Sequence, residues 1–431
     1  MTLSFLHPRD EILALMQRIY GYRMTTTSGG NLSLKEENGD VWITPSRVDK
    51  GGLTRADIVR VRPDGSLDGV RAPSSELPFH LEIYRRRPDI RGIVHAHPVA
   101  LVAFSLARKV PDTRVFHQAW NVCGRAGFAP YELPGSQALG RSVAGIFAQG
   151  FNSVILENHG VVTAAGDLQE AFRRFETLEF AGKTIIKGRL IGQVRYLDAQ
   201  QLAMPGLRSW EFEALDRDTP SSLERELRHR LSEFVRRAYR QRLFISTEGS
   251  YSVRLDASSF LITPYRADRA TLAPADLVLV ENGLVERGRK PSRAFRSHQA
   301  VYERHPSIGA VINAYPVNAT AFSVTGAPLD TRTIPESYIV VREPARLPYG
   351  AHFTDDYAIA EAVSPQRPTA ILENDGVLVV GSDALEAFDR LEVLESTAEA
   401  IINCRAVGDM APMGDQVIRD LEAAFFPNGP A

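Results

Sequence analysis

The chain repeats itself, and that constrains its fold more than any single motif does. Trp42-Ile43-Thr44-Pro45-Ser46 returns as Leu261-Ile262-Thr263-Pro264-Tyr265, 219 residues later, and the same spacing carries Ala56-Asp57-Ile58-Val59 onto Ala275-Asp276-Leu277-Val278. After the loss of one residue, Pro73-Ser74-Ser75-Glu76 matches Pro291-Ser292-Arg293-Ala294, and Val94-His95-Ala96-His97-Pro98 matches Ile312-Asn313-Ala314-Tyr315-Pro316. Ile155-Leu156-Glu157-Asn158-His159-Gly160 matches Ile371-Leu372-Glu373-Asn374-Asp375-Gly376. A near gap-free match over most of the chain is a duplicated domain rather than a short solenoid unit. Whatever architecture one half adopts, the other must adopt too.

The 431 residues have room for two ordinary domains. The repeat predicts a first domain over 1–200, a linker over 201–222, a second domain over 223–410 and a tail over 411–431. The linker reading rests on Met204-Pro205-Gly206 and the polar run Asp216 to Ser222, and the Pro/Gly-rich end, Phe425 to Ala431, is expected to fray. Hydrophobic residues make up 44% of the chain, enough for a core in each half. Lys and Arg number 50 against 52 Asp and Glu, a balance that gives no support for a nucleic-acid partner. No apolar run reaches the roughly 18 residues of a membrane span. Met1 to Asp10 lacks the basic stretch and apolar core of a secretory signal. Cys123 and Cys404, one per half, read as buried thiols in a reducing compartment, so a cytoplasmic protein is expected.

Apolar residues at Ile12, Leu13, Leu15, Met16 and Ile19 predict an amphipathic helix from Pro8 to Tyr20, ended by Gly21. Strands are expected at 41–44, 58–61, 92–97 and 153–156, with a tight turn at Pro63-Asp64-Gly65. Helices are expected at 77–87, 99–107, 137–148 and 168–191, and Thr113 to Phe116 reads as strand-like. Each half is thus an α/β domain with a strand-rich, largely antiparallel sheet flanked by helices.

The two copies work as an internal experiment. Positions they share are mostly apolar or turn residues, as a common fold requires. Asn313, Tyr315, Asp375 and Ala294 stand where the first copy has His95, His97, His159 and Glu76, and losing all four together marks them as one functional unit. Histidines at i and i+2 of a strand share a face. A third histidine at the end of another apolar run completes the ligand set of a catalytic zinc-type site with an open position. His80 is kept as His298, and Glu157 as Glu373, so both read as structural. Cys123 reads as packing, and His117 and Gln118 as possible pocket lining. Glu76 has two readings: a first-turn glutamate in a capping box, or a general acid/base with a raised pKa. Its replacement by Ala294, in step with the lost histidines, favours the second. Thr27-Ser28-Gly29-Gly30-Asn31, Thr44-Pro45-Ser46 and Pro73-Ser74-Ser75 offer backbone and hydroxyl donors for an anion. Ser250, Tyr265 and Arg293 replace Asn31, Ser46 and Ser75 in the second copy.

In order and spacing, the Ser-Gly-Gly-Asn-Leu-Ser, Ile-Thr-Pro-Ser, Pro-Ser-Ser-Glu, His-Ala-His-Pro and Asn-His-Gly blocks resemble the class II aldolase/adducin family, strongly over about 8–192 and in degenerate form over 225–410. The resemblance implies two tandem α/β/α sandwich domains, each a mainly antiparallel sheet flanked by helices. It implies a divalent metal on His95, His97 and His159 (Zn2+ first, with Mn2+, Co2+, Ni2+ or Fe2+ as alternatives) and Glu76 as acid/base. Gly30, Asn31, Ser46, Ser74 and Ser75 would hold a substrate anion. Arg47 stands where the aldolases have glycine, which would reshape a phosphate site, in the direction of a carboxylate. The activity implied is that of a metal-dependent lyase, cleaving a C–C bond of a small hydroxyketone or sugar phosphate, or a hydroxy or oxo acid, through an enediolate. Decarboxylation, epimerisation and a non-catalytic adducin-like scaffold role are the alternatives. The family's four-subunit ring implies a homodimer of this tandem chain, or a higher multiple, with a small-molecule substrate and neither nucleic acid nor membrane as partner.

Overall fold

The strands of the first half are β1 (Asn31–Lys35), β2 (Val41–Ile43), β3 (Val59–Val61), β4 (Leu67–Asp68), β5 (Gly92–Ala96), β6 (Gly127–Ala129), β7 (Ser153–Leu156) and β8 (Gly160–Ala165). They form one sheet in the order β4-β3-β2-β1-β5-β8-β7-β6, antiparallel except for the β6–β7 edge pair. This computed structural model describes residues 6–207, 211–216 and 219–426. The parts of the N-terminal, linker and tail readings that fall on 1–5, 208–210, 217–218 and 427–431 lie outside the described residues.

Side-chain alternation gives the sheet two buried faces. Leu32, Trp42, Val94, Ala96, Ile155 and Val161 pack with Ile12, Met16 and Ile19 of the helix Pro8–Gly21 and with Phe172 and Phe175 of the helix Leu168–Ile191. Val41, Ile43, Ile93, Val154 and Val162 pack on the other face with Phe79 and Ile83 of the helix Leu77–Arg86 and with Val143 and Phe147 of the helix Gln137–Ala148. The result is an α/β/α sandwich. His95 lies two residues from Ile93 and so points toward the second face, where its ring meets Phe79 edge-on.

The second half repeats this plan. Its strands are β9 (Ala214–Leu215), β10 (Ser250–Arg254), β11 (Ser259–Ile262), β12 (Val278–Glu281), β13 (Leu284–Glu286), β14 (Ala310–Ala314), β15 (Ala345–Leu347), β16 (Thr369–Leu372) and β17 (Val377–Gly381), in the order β15-β16-β17-β14-β10-β11-β12-β13-β9. The duplicated register is preserved, because Asn31 pairs with His95 and Ser250 with Asn313. Buried polar networks are duplicated as well. Ser33 bridges His80 and Tyr84 at 2.6 and 2.7 Å, and Ser252 bridges His298 and Tyr302 at the same distances.

Four local outcomes differ from the sequence reading. By contact, the chain divides into one unit of residues 1–113 and 119–183 and another of 114–118 and 184–431. Ala214–Leu215, inside the expected linker 201–222, pairs in parallel with β13. The expected tail 411–431 carries the helix Asp415–Phe425, tied by a Tyr338 hydroxyl donating to Glu422 at 2.7 Å. Thr113–Val115 is a 3-10 turn rather than a strand. Val115 and Phe116 are fully buried, and that burial, not strand pairing, accounts for their apolar character.

Candidate metal and acid/base site

His95 is the penultimate residue of β5 and fully buried, and His97 follows two residues later, just past the end of the strand. His159 comes from the three-residue turn between β7 and β8, where Leu156 pairs with Gly160. Asn158 adopts φ +51° in that turn, a left-handed geometry that asparagine tolerates. A Cβ at Gly160 would lie 2.6 Å from the Ala96 carbonyl and 2.7 Å from the His97 ring, so only glycine lets this turn approach β5. One ring nitrogen from each of the three histidines lies within 4.8 Å of the others.

The chemistry of this donor set fits a divalent cation. His95 Nδ1 lies 3.0 Å from the Val161 carbonyl, which holds the proton on Nδ1 and leaves the Nε2 lone pair facing His97 Nε2 at 3.2 Å. Burial and the neighbouring imidazoles push His97 down to about 3 and His159 down to about 4, so both are neutral at physiological pH, the form that ligates a metal.

Glu76 is the N-cap residue of the helix Leu77–Arg86, but its side chain makes no capping bond. The carboxylate turns inward, only 7% exposed, with Oε2 3.1 Å from His95 Nε2 and Oε1 3.3 Å from His159 Nε2. Oε1 is buried and has no hydrogen-bond partner. The Asn31 Nδ2 donates to Oε2 at 2.7 Å. The raised pKa expected from burial does not hold. Burial pushes the carboxyl up, but the His95 and His159 rings beside it and the bond from Asn31 outweigh it and hold Glu76 below the usual carboxylate range. A cation on the imidazoles would act in the same sense.

The anion candidates are arranged unevenly. Ser46 N donates to the Ala72 carbonyl, and Pro45 bridges Pro73, so the Ser46 and Ser74–Ser75 segments run side by side. Ser75 is exposed, and Ser46 half-buried. Ser74 is buried with its Oγ accepting from Glu76 N at 3.2 Å, so it shapes the helix start. Gly30 takes φ +73° beside the His95 carbonyl. Both ends of the Asn31 amide are engaged, since Oδ1 also accepts from His80 Nε2 at 2.5 Å. His80, read as structural because both copies keep it, is thus linked through Asn31 to Glu76. Only the proximity of β1, β5 and the helix Leu77–Arg86 reveals the link. Arg47 adopts φ +52°, the left-handed region where the family's glycine is at ease, and its counterpart Arg266 does the same at +56°. Glu157 bonds Tyr131 N and Arg108, away from the histidines. Cys123 is buried and donates to the Arg174 carbonyl. His117 and Gln118 line a cavity of the second unit rather than this site.

The sequence matches the profile of the Class II Aldolase and Adducin N-terminal domain twice, over residues 10–186 and 229–402. The chain belongs to the class II aldolase and adducin family. Within that family, the 5-deoxy-D-ribulose 1-phosphate aldolase of Bacillus thuringiensis serovar kurstaki is 32% identical over 198 residues, covering 45% of this chain and 91% of that protein. The 3-oxo-tetronate 4-phosphate decarboxylase of Escherichia coli strain K12 is 29% identical over 201 residues, covering 45% and 93%. A solved L-fuculose 1-phosphate aldolase aligns with TM-score 0.42 and 28% identity, covering 46% of this chain and 93% of that one. No helix among the described residues is long and apolar enough to cross a membrane.

Proposed function

We propose that the first half is a metal-dependent lyase, with a divalent cation on His95, His97 and His159 and Glu76 as its acid/base. The observation that carries this reading is the Glu76 carboxylate set 3.1 and 3.3 Å from two of three converging imidazoles. The cation, Zn2+ by its ligand set, would supply Lewis acidity toward a substrate carbonyl. Glu76, ionised at rest, accepts a proton from the substrate hydroxyl or carbon at Oε1, the oxygen without a hydrogen-bond partner, and returns it to the product. Asn31 holds Oε2 and fixes which oxygen reacts. His95, oriented by Val161, keeps its ring in place through the proton transfer. Ser46, Ser74, Ser75 and the Gly30–Asn31 backbone form the wall on which a substrate phosphate or carboxylate would rest.

Relatives named for aldol cleavage and for decarboxylation, both on phosphorylated substrates, support a small hydroxyketone phosphate or 3-oxo acid as substrate class. A screen of these compounds for aldehyde or CO₂ release tests the proposal. Glu76→Ala should abolish turnover while metal content stays intact. Joint loss of metal and turnover would make Glu76 a ligand instead, and no release from any compound would leave the first half a binding module.

A further inference from the structure

The second half has lost the histidines and Glu76, yet it has not closed over their place. A cavity of about 240 Å³ lies there, with Asn313, Tyr315 and Asp375 at the positions of the three ligands. The three former ligand positions do not leave a metal site. The Tyr315 hydroxyl donates to Asp375 Oδ1 at 2.8 Å, and His352 Nε2 lies 3.1 Å from Asp375 Oδ2, so the carboxylate is already engaged on both oxygens.

The remaining lining is rich in donors. Arg293, where the first copy has Ser75, donates to Gln118 Oε1 at 3.0 Å, and Gln118 Nε2 in turn donates to the Tyr315 hydroxyl at 3.3 Å. His117 lines the same cavity, only 6% exposed, and neither of its ring nitrogens has a hydrogen-bond partner. A buried imidazole with both nitrogens unanswered is costly unless something fills the cavity and bonds to it. The charged lining residues are Arg266, Arg269, Arg293 and Arg296 against Glu248 and Asp375. Arg269 is consumed by the carbonyls of Gly249, Pro264 and Ala267. Asp375 is engaged by Tyr315 and His352. The cavity therefore offers a guanidinium and an imidazole to an incoming group.

We infer that the second half holds a metal-independent binding site for a small molecule bearing an oxyanion, a carboxylate or a phosphate, held by Arg293 and His117. This inference does not depend on the lyase reading of the first half.

The test uses the full chain carrying His95→Ala and His97→Ala, kept in chelator, titrated calorimetrically with inorganic phosphate and with malonate. Saturable binding of either is expected, phosphate alone pointing to a phosphate monoester and malonate alone to a carboxylate. Arg293→Ser, which restores the first copy's residue, and His117→Ala should each weaken binding at least tenfold, while Arg293→Lys should keep a measurable part of it. Circular dichroism confirms that each variant is folded. No binding of either anion, or binding indifferent to Arg293→Ser and His117→Ala, would overturn the inference.

Discussion

Asn31 Nδ2 donates to Glu76 Oε2 at 2.7 Å, so the orientation of the candidate acid/base depends on an amide 45 residues earlier in the chain. Asn31→Ala should lower kcat roughly 10- to 100-fold with metal content unchanged, the loss expected when a residue that orients a metal-site group is removed. It also strips His80 Nε2 of its acceptor, at a cost of about 1–3 kcal/mol. An unchanged kcat would show that Glu76 needs no such support.

The second half already contains a working replacement for this network. His298 Nε2 faces Ser250 Oγ at 3.2 Å and Asn313 Oδ1 at 2.7 Å, the counterparts of Asn31 and His95. Transplanting that pair, as Asn31→Ser with His95→Asn, should give a first half that binds no metal but melts higher than Asn31→Ala. Thermal melts of the two variants decide it. A double variant less stable than the single one would mean the networks are not interchangeable.

Metal should bind at one equivalent per chain, because His95, His97 and His159 form the one histidine cluster of ligating geometry among the described residues. His97→Ala should leave less than about a tenth of that equivalent after dialysis. Elemental analysis checks both numbers, and a stoichiometry near two would contradict the reading.

Glu11 sets a pH dependence of stability. It is buried in the helix Pro8–Gly21, and burial together with the nearby Asp167 raises it from 4.5 to about 6. Below pH 4.5 the group is protonated whether the chain is folded or not. Between 4.5 and about 6 the folded chain keeps a proton that the unfolded chain releases, so stability falls as pH rises. Above that range the native state carries a cost of roughly 1–2 kcal/mol, allowing for solvent screening. Glu11→Gln should therefore raise the melting temperature at pH 7 and leave it nearly unchanged at pH 4. An equal shift at both would point to packing rather than ionisation.

In solution, the mass of the particle should be near twice 47.6 kDa, or a multiple of that, as a four-domain assembly of tandem chains requires. Light scattering measures it directly, and a monomer would reject the assembly.

The amino-acid sequence alone determined the duplication, the antiparallel α/β character of each half and the pairing of three histidines as one ligand set, while the sandwich was implied by the family resemblance. These are legible because strand and helix periods are short and local. Alternation puts Ile93 and His95 on one face, and the simultaneous loss of four residues in the second copy marks the site. The electrostatics of that site came only with the tertiary structure. Glu76 read as an acid/base whose pKa burial would raise, until folding placed His95, His159 and Asn31 against it. The tie from His80 to Asn31 spans 49 residues and joins two residues that looked unrelated. Residues 114–118 belong to the second unit, where Gln118 meets Arg293 across 175 positions of sequence. Spacing patterns do not register such contacts, because they arise from where the chain returns to itself and not from the period of any one element.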